Sequence, residues 1–120
     1  MKISEHFDSS EFVCHCGCEQ MIIDVGLLNT AENLRNYLGK PMIVHCVNRC
    51  KRHNAEVGGH SNSYHMFGYA MDFHVKGLEI FELHSIIEKL WRDKNILTGG
   101  LGYYSWGNHI DVKNYRTWNE

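Results

Sequence analysis

The chain is predicted to fold as a single α+β domain spanning residues 1–120, an antiparallel sheet flanked by helices. Three observations predict it. Two stretches, 25–38 and 78–91, repeat apolar residues at helical spacing. Two others, 69–75 and 108–113, alternate apolar and polar residues as half-buried strands do. Helices and strands then follow one another without the regular strand–helix–strand rhythm of a parallel sheet. With one proline, no internal repeat and no low-complexity tract, nothing marks a linker.

Each element has a local reason. Residues 1–23 read as an irregular arm with short structured pieces, including Cys14-His15-Cys16-Gly17-Cys18. Asp24 is suited to cap a helix running from Val25 to Leu38. In that helix Leu27, Ala31, Leu34 and Leu38 share a face, and Gly39 stands where a terminating glycine belongs. Met42 to Val47 is a short, partly β-branched apolar run and reads as a strand. A short helix is expected from Lys51 to Val57, ended by Gly58-Gly59. In the strand from Tyr69 to Val75, Tyr69, Met71, Phe73 and Val75 point one way, and Ala70, Asp72 and His74 the other. From Leu78 to Trp91, Ile80, Leu83, Ile87 and Leu90 form an apolar stripe, opposite the solvated Glu79, Glu82, Glu88 and Lys89. After a glycine-rich stretch at 99–102, a last strand near Asn108 to Lys113 places His109 and Asp111 together on one face. Trp106 and Trp118 are expected to be buried, with lining of a groove as the alternative.

Composition narrows the function. A formal charge of -2 with no basic stripe gives no reason to expect nucleic acid. No apolar run approaches the roughly 20 residues of a membrane-spanning helix. The opening Met1-Lys2-Ile3-Ser4-Glu5-His6-Phe7 lacks the apolar core of a secretory signal, so the chain is expected to be cytoplasmic as synthesised and to reach any external target by release. A monomer is expected. Nine histidines and five cysteines offer many metal ligands, and the odd cysteine count argues against a complete disulfide framework.

Position decides among those ligands. His65 and Asp72 stand seven residues apart, too far to be neighbours on one strand. They converge if His65 lies in a loop that folds back over the strand bearing Asp72. Gly68 permits that bend, and Ala70 leaves room beside the carboxylate. His109 can arrive from an adjacent antiparallel strand. Two imidazoles and a carboxylate suit zinc, and three protein ligands leave a fourth position for water, as in catalytic sites. Arg49 offers a permanently charged fork for a carboxylate or an oxyanion.

A longer ordered series surrounds these residues: Asn48-Arg49-Cys50, His53-Asn54, Val57-Gly58-Gly59, Asn62-Ser63, His65, Gly68, Ala70 and Asp72. Downstream stand Gly99-Gly100-Leu101-Gly102-Tyr103-Tyr104, His109-Ile110-Asp111, Arg116 and Trp118. The series resembles the zinc D-Ala-D-Ala carboxypeptidase family, which shares its fold with the Hedgehog signalling domain and includes peptidoglycan endopeptidases and phage endolysins. Ser4-Glu5-His6-Phe7, Glu11-Phe12 and the cysteine-rich segment resemble the start of its small members. The resemblance implies Zn2+ held by His65, Asp72 and His109, and Arg49 beside the substrate carbonyl or carboxylate. Ser61-Asn62-Ser63 would supply polar rim groups. The implied substrates are D-amino-acid-containing peptides of peptidoglycan, cut by carboxypeptidase or endopeptidase action through a metal-activated water.

Two departures stand out. Many relatives carry an acid three residues before the last zinc ligand or a histidine two before it, where this chain has Trp106 and Gly107. Asp111 and His74 are then the candidate general bases, with a partner that orients a ligand imidazole as the other reading of Asp111 and a polar edge residue as that of His74. The family's Ser-Gly-Tyr-Arg is Cys46-Val47-Asn48-Arg49 here. The rival expectation is a Hedgehog-like module that keeps zinc and a peptide groove without turnover. Cys14, Cys16 and Cys18, with Cys50 folding beside them, read as free thiols, one disulfide or a second, structural zinc site.

Overall fold

The computed structural model describes residues 1–119. The N-terminal arm contains one helical turn, α1 (Ser9–Phe12), closed by a capping box. Asp8 accepts from the Ser10 N–H and Glu11 accepts from the Asp8 N–H. The Asp-x-x-Glu spacing that makes this box is visible in the sequence. The arm is clasped to the next helix by Glu32, which accepts from the Ser4 hydroxyl and the His6 N–H.

Helix α2 (Val25–Leu38) has the ends the sequence predicts. Asp24 accepts from the Leu27 N–H at 3.1 Å, a cap that contributes about 1 kcal/mol, and Gly39 closes the helix in the left-handed region. Leu27, Ala31 and Leu34 are its buried face. Strand β1 (Met42–Cys46), helix α3 (Lys51–Glu56), a 3-10 turn (Tyr64–Phe67), strand β2 (Ala70–Val75) and helix α4 (Ile80–Arg92) follow. The chain continues through β3 (Leu101–Tyr104), β4 (Gly107–Asp111) and β5 (Thr117–Asn119). Among the described residues no helix is long and apolar enough to cross a membrane.

The five strands form one sheet in the order β1-β2-β4-β3-β5. Its α+β character agrees with the expectation, but the sheet is mixed. β5 runs parallel to β3, while the other pairs are antiparallel. β3 lies in the glycine-rich stretch that gave no strand pattern. Its Gly102 is needed for close approach, since a side chain there would come 2.7 Å from the Trp118 ring on β5. The pairing also places Gly102 opposite His109.

The sheet has one apolar and one polar face. Met71, Phe73 and Val75 of β2 join Met42 of β1 and Ile110 of β4 in the core, where they meet Leu83, Ile87 and Leu90 of α4. The opposite face carries Ala70, Asp72 and His74, paired across with Asp111 and His109 of β4. The period of 2 in each strand therefore decides which residues are free for chemistry. A bulge in β1 adds a residue to that face. Met42, Ile43 and Val44 pair in register with Val75, His74 and Phe73, but Cys46 rather than His45 pairs with Asp72. Without the extra residue Cys46 would point into the core with Met42 and Val44.

Candidate metal centre

Asp72 is the hub. Its Oδ2 lies 3.1 Å from His65 Nε2, and its Oδ1 lies 2.8 Å from His109 Nδ1. Asp72 and His109 are direct cross-strand partners, so the β2–β4 register alone sets their distance. His65 arrives as the sequence predicts, from a segment folded back over β2, although that segment is a 3-10 turn rather than an open loop. Gly68 ends the turn at φ 71, and a Cβ there would meet the Ile22 carbonyl at 2.1 Å. Asn48 fixes the turn's other side. This fully buried amide donates to the His65 carbonyl at 3.0 Å and accepts from the Ile22 N–H at 3.1 Å. The Arg49 N–H bonds the same His65 carbonyl at 3.0 Å.

The tautomers favour a cation. His65 Nδ1 lies 2.9 Å from the Val47 carbonyl, which requires a proton on that nitrogen. Nε2 then turns its lone pair toward the Asp72 carboxylate, and it is a buried atom with no hydrogen-bond partner. His109 has a carboxylate at each ring nitrogen, Asp111 Oδ2 3.1 Å from Nε2 and Asp72 Oδ1 2.8 Å from Nδ1; with its proton on Nε2, the Nδ1 lone pair faces Asp72 as well. Two lone pairs and an anion thus converge. An imidazole proton or a metal ion resolves that clash, so these residues fit a metal. The pKa directions follow the same logic. Burial would lower the His65 pKa, but the Asp72 carboxylate outweighs it and raises it. Burial would raise the pKa of Asp72, yet His65 and His109 hold it well below the usual carboxylate range.

The group here whose donor atoms all lie within 4.8 Å of one another is Cys46, His65 and Asp72, without His109. Cys46 was not among the predicted ligands. No feature of the sequence marks the bulge that turns it toward Asp72.

These residues open into a cleft of about 890 Å³. His65, Asp72 and His109 form part of its lining, and Arg49, Ser61, Asn62 and Ser63 contribute to its polar side. Arg49 Nη2 donates to Ser63 Oγ at 3.4 Å, while its buried Nε has no partner. Among the described residues Arg49 has no carboxylate partner within 4.0 Å, so its charge remains available to a ligand. Tyr104, Trp106, Trp118 and Arg116 form the other side. Trp106 corrects the expectation of burial, being 42% exposed and stacked on Tyr104 at 4.8 Å. Trp118 is half-buried, edge-on to His109 at 4.6 Å, with the Arg116 guanidinium over its ring.

Neither candidate base faces this space. The Asp111 side chain is fully buried behind His109. Its Oδ1 accepts from the Gly100, Lys113 and Asn114 N–H groups, and Oδ2 faces His109. Burial would raise the Asp111 pKa, but His109 and the Lys113 and Gly100 N–H groups keep it lowered. Buried beside His109 and away from the cleft, Asp111 is placed as the other reading of it requires, next to a ligand candidate rather than next to a substrate. His74 Nδ1 lies 2.6 Å from His45 Nε2, outside the cleft lining, as a polar edge residue would. Among the described residues the cleft also holds the imidazole of His60, which sequence reasoning did not single out.

The comparisons with known proteins show the family. The model of the family described as Peptidase M15 matches residues 5–113. The chain is 32% identical over 105 residues to the peptidoglycan L,D-endopeptidase MepK of Escherichia coli K12, a match covering 80% of this chain and 54% of that protein. The corresponding protein of Shigella flexneri matches to the same extent. A Haemophilus influenzae protein named "Probable peptidoglycan L,D-endopeptidase MepK" is 39% identical over 59 residues, 48% of this chain and 28% of that one. The matches thus span about half or less of these relatives' length. A family match over residues 5–113 places nearly the whole described fold, with Arg49, His65, Asp72 and His109 inside it, and the chain therefore belongs to the peptidase M15 family.

Proposed function

We propose that the chain is a zinc-dependent hydrolase of peptide bonds in peptidoglycan, with the ion held by His65, Asp72 and His109. The observation that carries this reading is the convergence of His65 Nε2, His109 Nδ1 and the Asp72 carboxylate at one wall of an open cleft. A zinc ion there would supply Lewis acidity, making a water more acidic and polarising the scissile carbonyl. The names of the relatives support a cell-wall peptide as substrate and endopeptidase over carboxypeptidase action.

The chain's own residues do the rest. Val47 and Asp111 fix the two imidazoles in the tautomers that leave their lone pairs on the Asp72 side. Arg49 lines the cleft, where its guanidinium can bind the carbonyl oxygen as it gains charge or a peptide carboxylate. Trp106 and Tyr104 offer a stacked apolar platform for the body of the peptide or an attached sugar. Asp111→Asn is expected to weaken zinc binding about 10- to 100-fold, because the amide lets the His109 ring turn over. Zinc titration with a competing chelator reads that change, and unaltered affinity would reject the orienting role.

Purified protein is expected to release muropeptides from isolated sacculi, to stop when the metal is chelated, and to resume when zinc returns. One observation favours the rival reading, a binding module without turnover. Asp72 is the one carboxylate of the described cleft lining, and by the resemblance Trp106 and Gly107 stand where many relatives carry an acid or a histidine. Stoichiometric zinc with no product from sacculi of any cross-link type would establish that module and overturn hydrolysis.

A further inference from the structure

We infer that Cys14, Cys16, Cys18 and Cys50 form a second metal site, a closed tetrathiolate centre for a structural zinc ion. The four Sγ atoms lie within 4.8 Å of one another, although Cys50 is separated from the other three by the whole of α2 and β1. Cys14 and Cys16 Sγ are 3.5 Å apart, and Cys16 and Cys50 Sγ are 3.6 Å apart. A tetrahedral ion with zinc–sulfur bonds of about 2.3 Å holds its sulfurs about 3.8 Å apart. A disulfide would need about 2.05 Å. The observed spacing matches the first arrangement, and all five cysteines of the chain are free thiols.

The local backbone explains the convergence. Cysteines two apart on an extended strand point the same way but stand about 6.6 Å apart, so their thiols would not meet. Here residues 15–18 are curled into turns, and the Cys14 and Cys16 thiols meet at 3.5 Å. The sulfurs are also surrounded by donors suited to thiolates. The Cys50 N–H points at Cys14 Sγ at 3.4 Å, the Gln20 N–H at Cys18 Sγ at 3.4 Å, and the His53 N–H at Cys50 Sγ at 3.4 Å. The Arg52 guanidinium lies 3.5 Å from Cys16 Sγ. Four thiolates and one divalent ion carry a net charge of -2, and these contacts offset it. On binding, the thiols release their protons to solvent.

Such an ion has four protein ligands and no room for water, unlike the ion proposed for the cleft. Its role is to tie the N-terminal arm to the segment between β1 and α3. Cys50 caps α3 and directly follows Arg49, so the centre would fix that cleft residue from behind. Thiolate donors select zinc over the hard cations magnesium and calcium. The inference is independent of the function proposed above.

Cobalt(II) serves as the spectroscopic probe, with the full chain carrying Asp72→Ala and Cys46→Ala so that the cleft lacks its carboxylate and its thiol. One cobalt per chain is expected, with intense thiolate-to-cobalt charge transfer and tetrahedral ligand-field absorption, both erased by zinc. No bound cobalt, or cobalt without charge-transfer absorption, overturns the site. A second measurement uses the wild-type chain, so that misfolding of the double variant leaves the question open to decision. With zinc, Cys14, Cys16, Cys18 and Cys50 are expected to resist alkylation together, and to become reactive together when a chelator is added. Equal alkylation with and without chelator, or recovery of these residues as disulfides, overturns the site as well.

Discussion

Asp72→Ala is expected to yield a folded protein that has lost its cleft metal and all measurable wall hydrolysis. The carboxylate is the shared contact of both imidazoles, at 3.1 Å from His65 and 2.8 Å from His109. Loss of a partner that merely orients a ligand costs about 10- to 100-fold in metal affinity, so loss of the ligand that both others face should exceed that range. The fold should survive, because Asp72 lies on the polar face of the sheet, opposite the core built by Met71, Phe73 and Val75. Alanine at 72 also keeps the β2–β4 ladder, which is made by the backbone. Circular dichroism checks the fold, and competition with a chromogenic chelator checks the affinity. Retention of wild-type zinc affinity in the cleft would remove Asp72 from the site. Chelation by itself is less decisive, because the tetrathiolate centre would also respond to it.

Arg49→Ala should leave the metal in place and lower kcat/KM by about 100- to 1,000-fold, the range seen when one donor to a developing oxyanion is removed. The expectation rests on the environment of the guanidinium. Its contact with Ser63 Oγ is long at 3.4 Å, its Nε is buried without a partner, and its backbone is fixed by the His65 carbonyl. The proposed role gives that donor a partner, where an unsatisfied buried donor otherwise costs about 1–3 kcal/mol or more. Arg49→Lys should restore only part of the loss, because an ammonium cannot reproduce the planar fork. Steady-state kinetics on a defined stem peptide separates the two forms the role can take. A fall confined to kcat places Arg49 on the transition-state oxygen, and a rise confined to KM places it on a ground-state carboxylate. Kinetics within twofold of wild type would exclude both.

The parts of the fold most legible in the sequence were those with local causes. Helix α2 runs between the residues its cap and its glycine mark, and the faces of β2 and β4 follow from alternation alone. That alternation also brought Asp72 and His109 onto one surface, so the core of the candidate site could be anticipated. The capping box of α1 was equally local, and its Asp8 and Glu11 were available to be read. What was not legible depends on partners distant in the chain. β3 has a glycine where a strand pattern would place a side chain, because the Trp118 ring fills that space. β5 is three residues long and runs parallel to β3, so no turn signal announces its pairing. The bulge that brings Cys46 to Asp72 is a property of the register between β1 and β2, and neither segment encodes it alone. Trp106 looks like a core residue by type, yet it stands exposed at the cleft because Tyr104 and His45 pack against it there. Asp111 shows a different limit. Alternation correctly placed it on the same face as His109, but only the structure shows backbone N–H groups closing over it and keeping its carboxylate out of the cleft.

Diffraction at the zinc absorption edge from crystals of the wild-type chain would decide whether a single ion joins β2, β4 and the 3-10 turn. An anomalous peak is expected within bonding distance of His65 Nε2, the Asp72 carboxylate and His109 Nδ1, separate from any peak among the four clustered cysteines. Zinc-loaded crystals with no anomalous density between those two imidazoles, or with the ion bound by other side chains of the cleft, would contradict it.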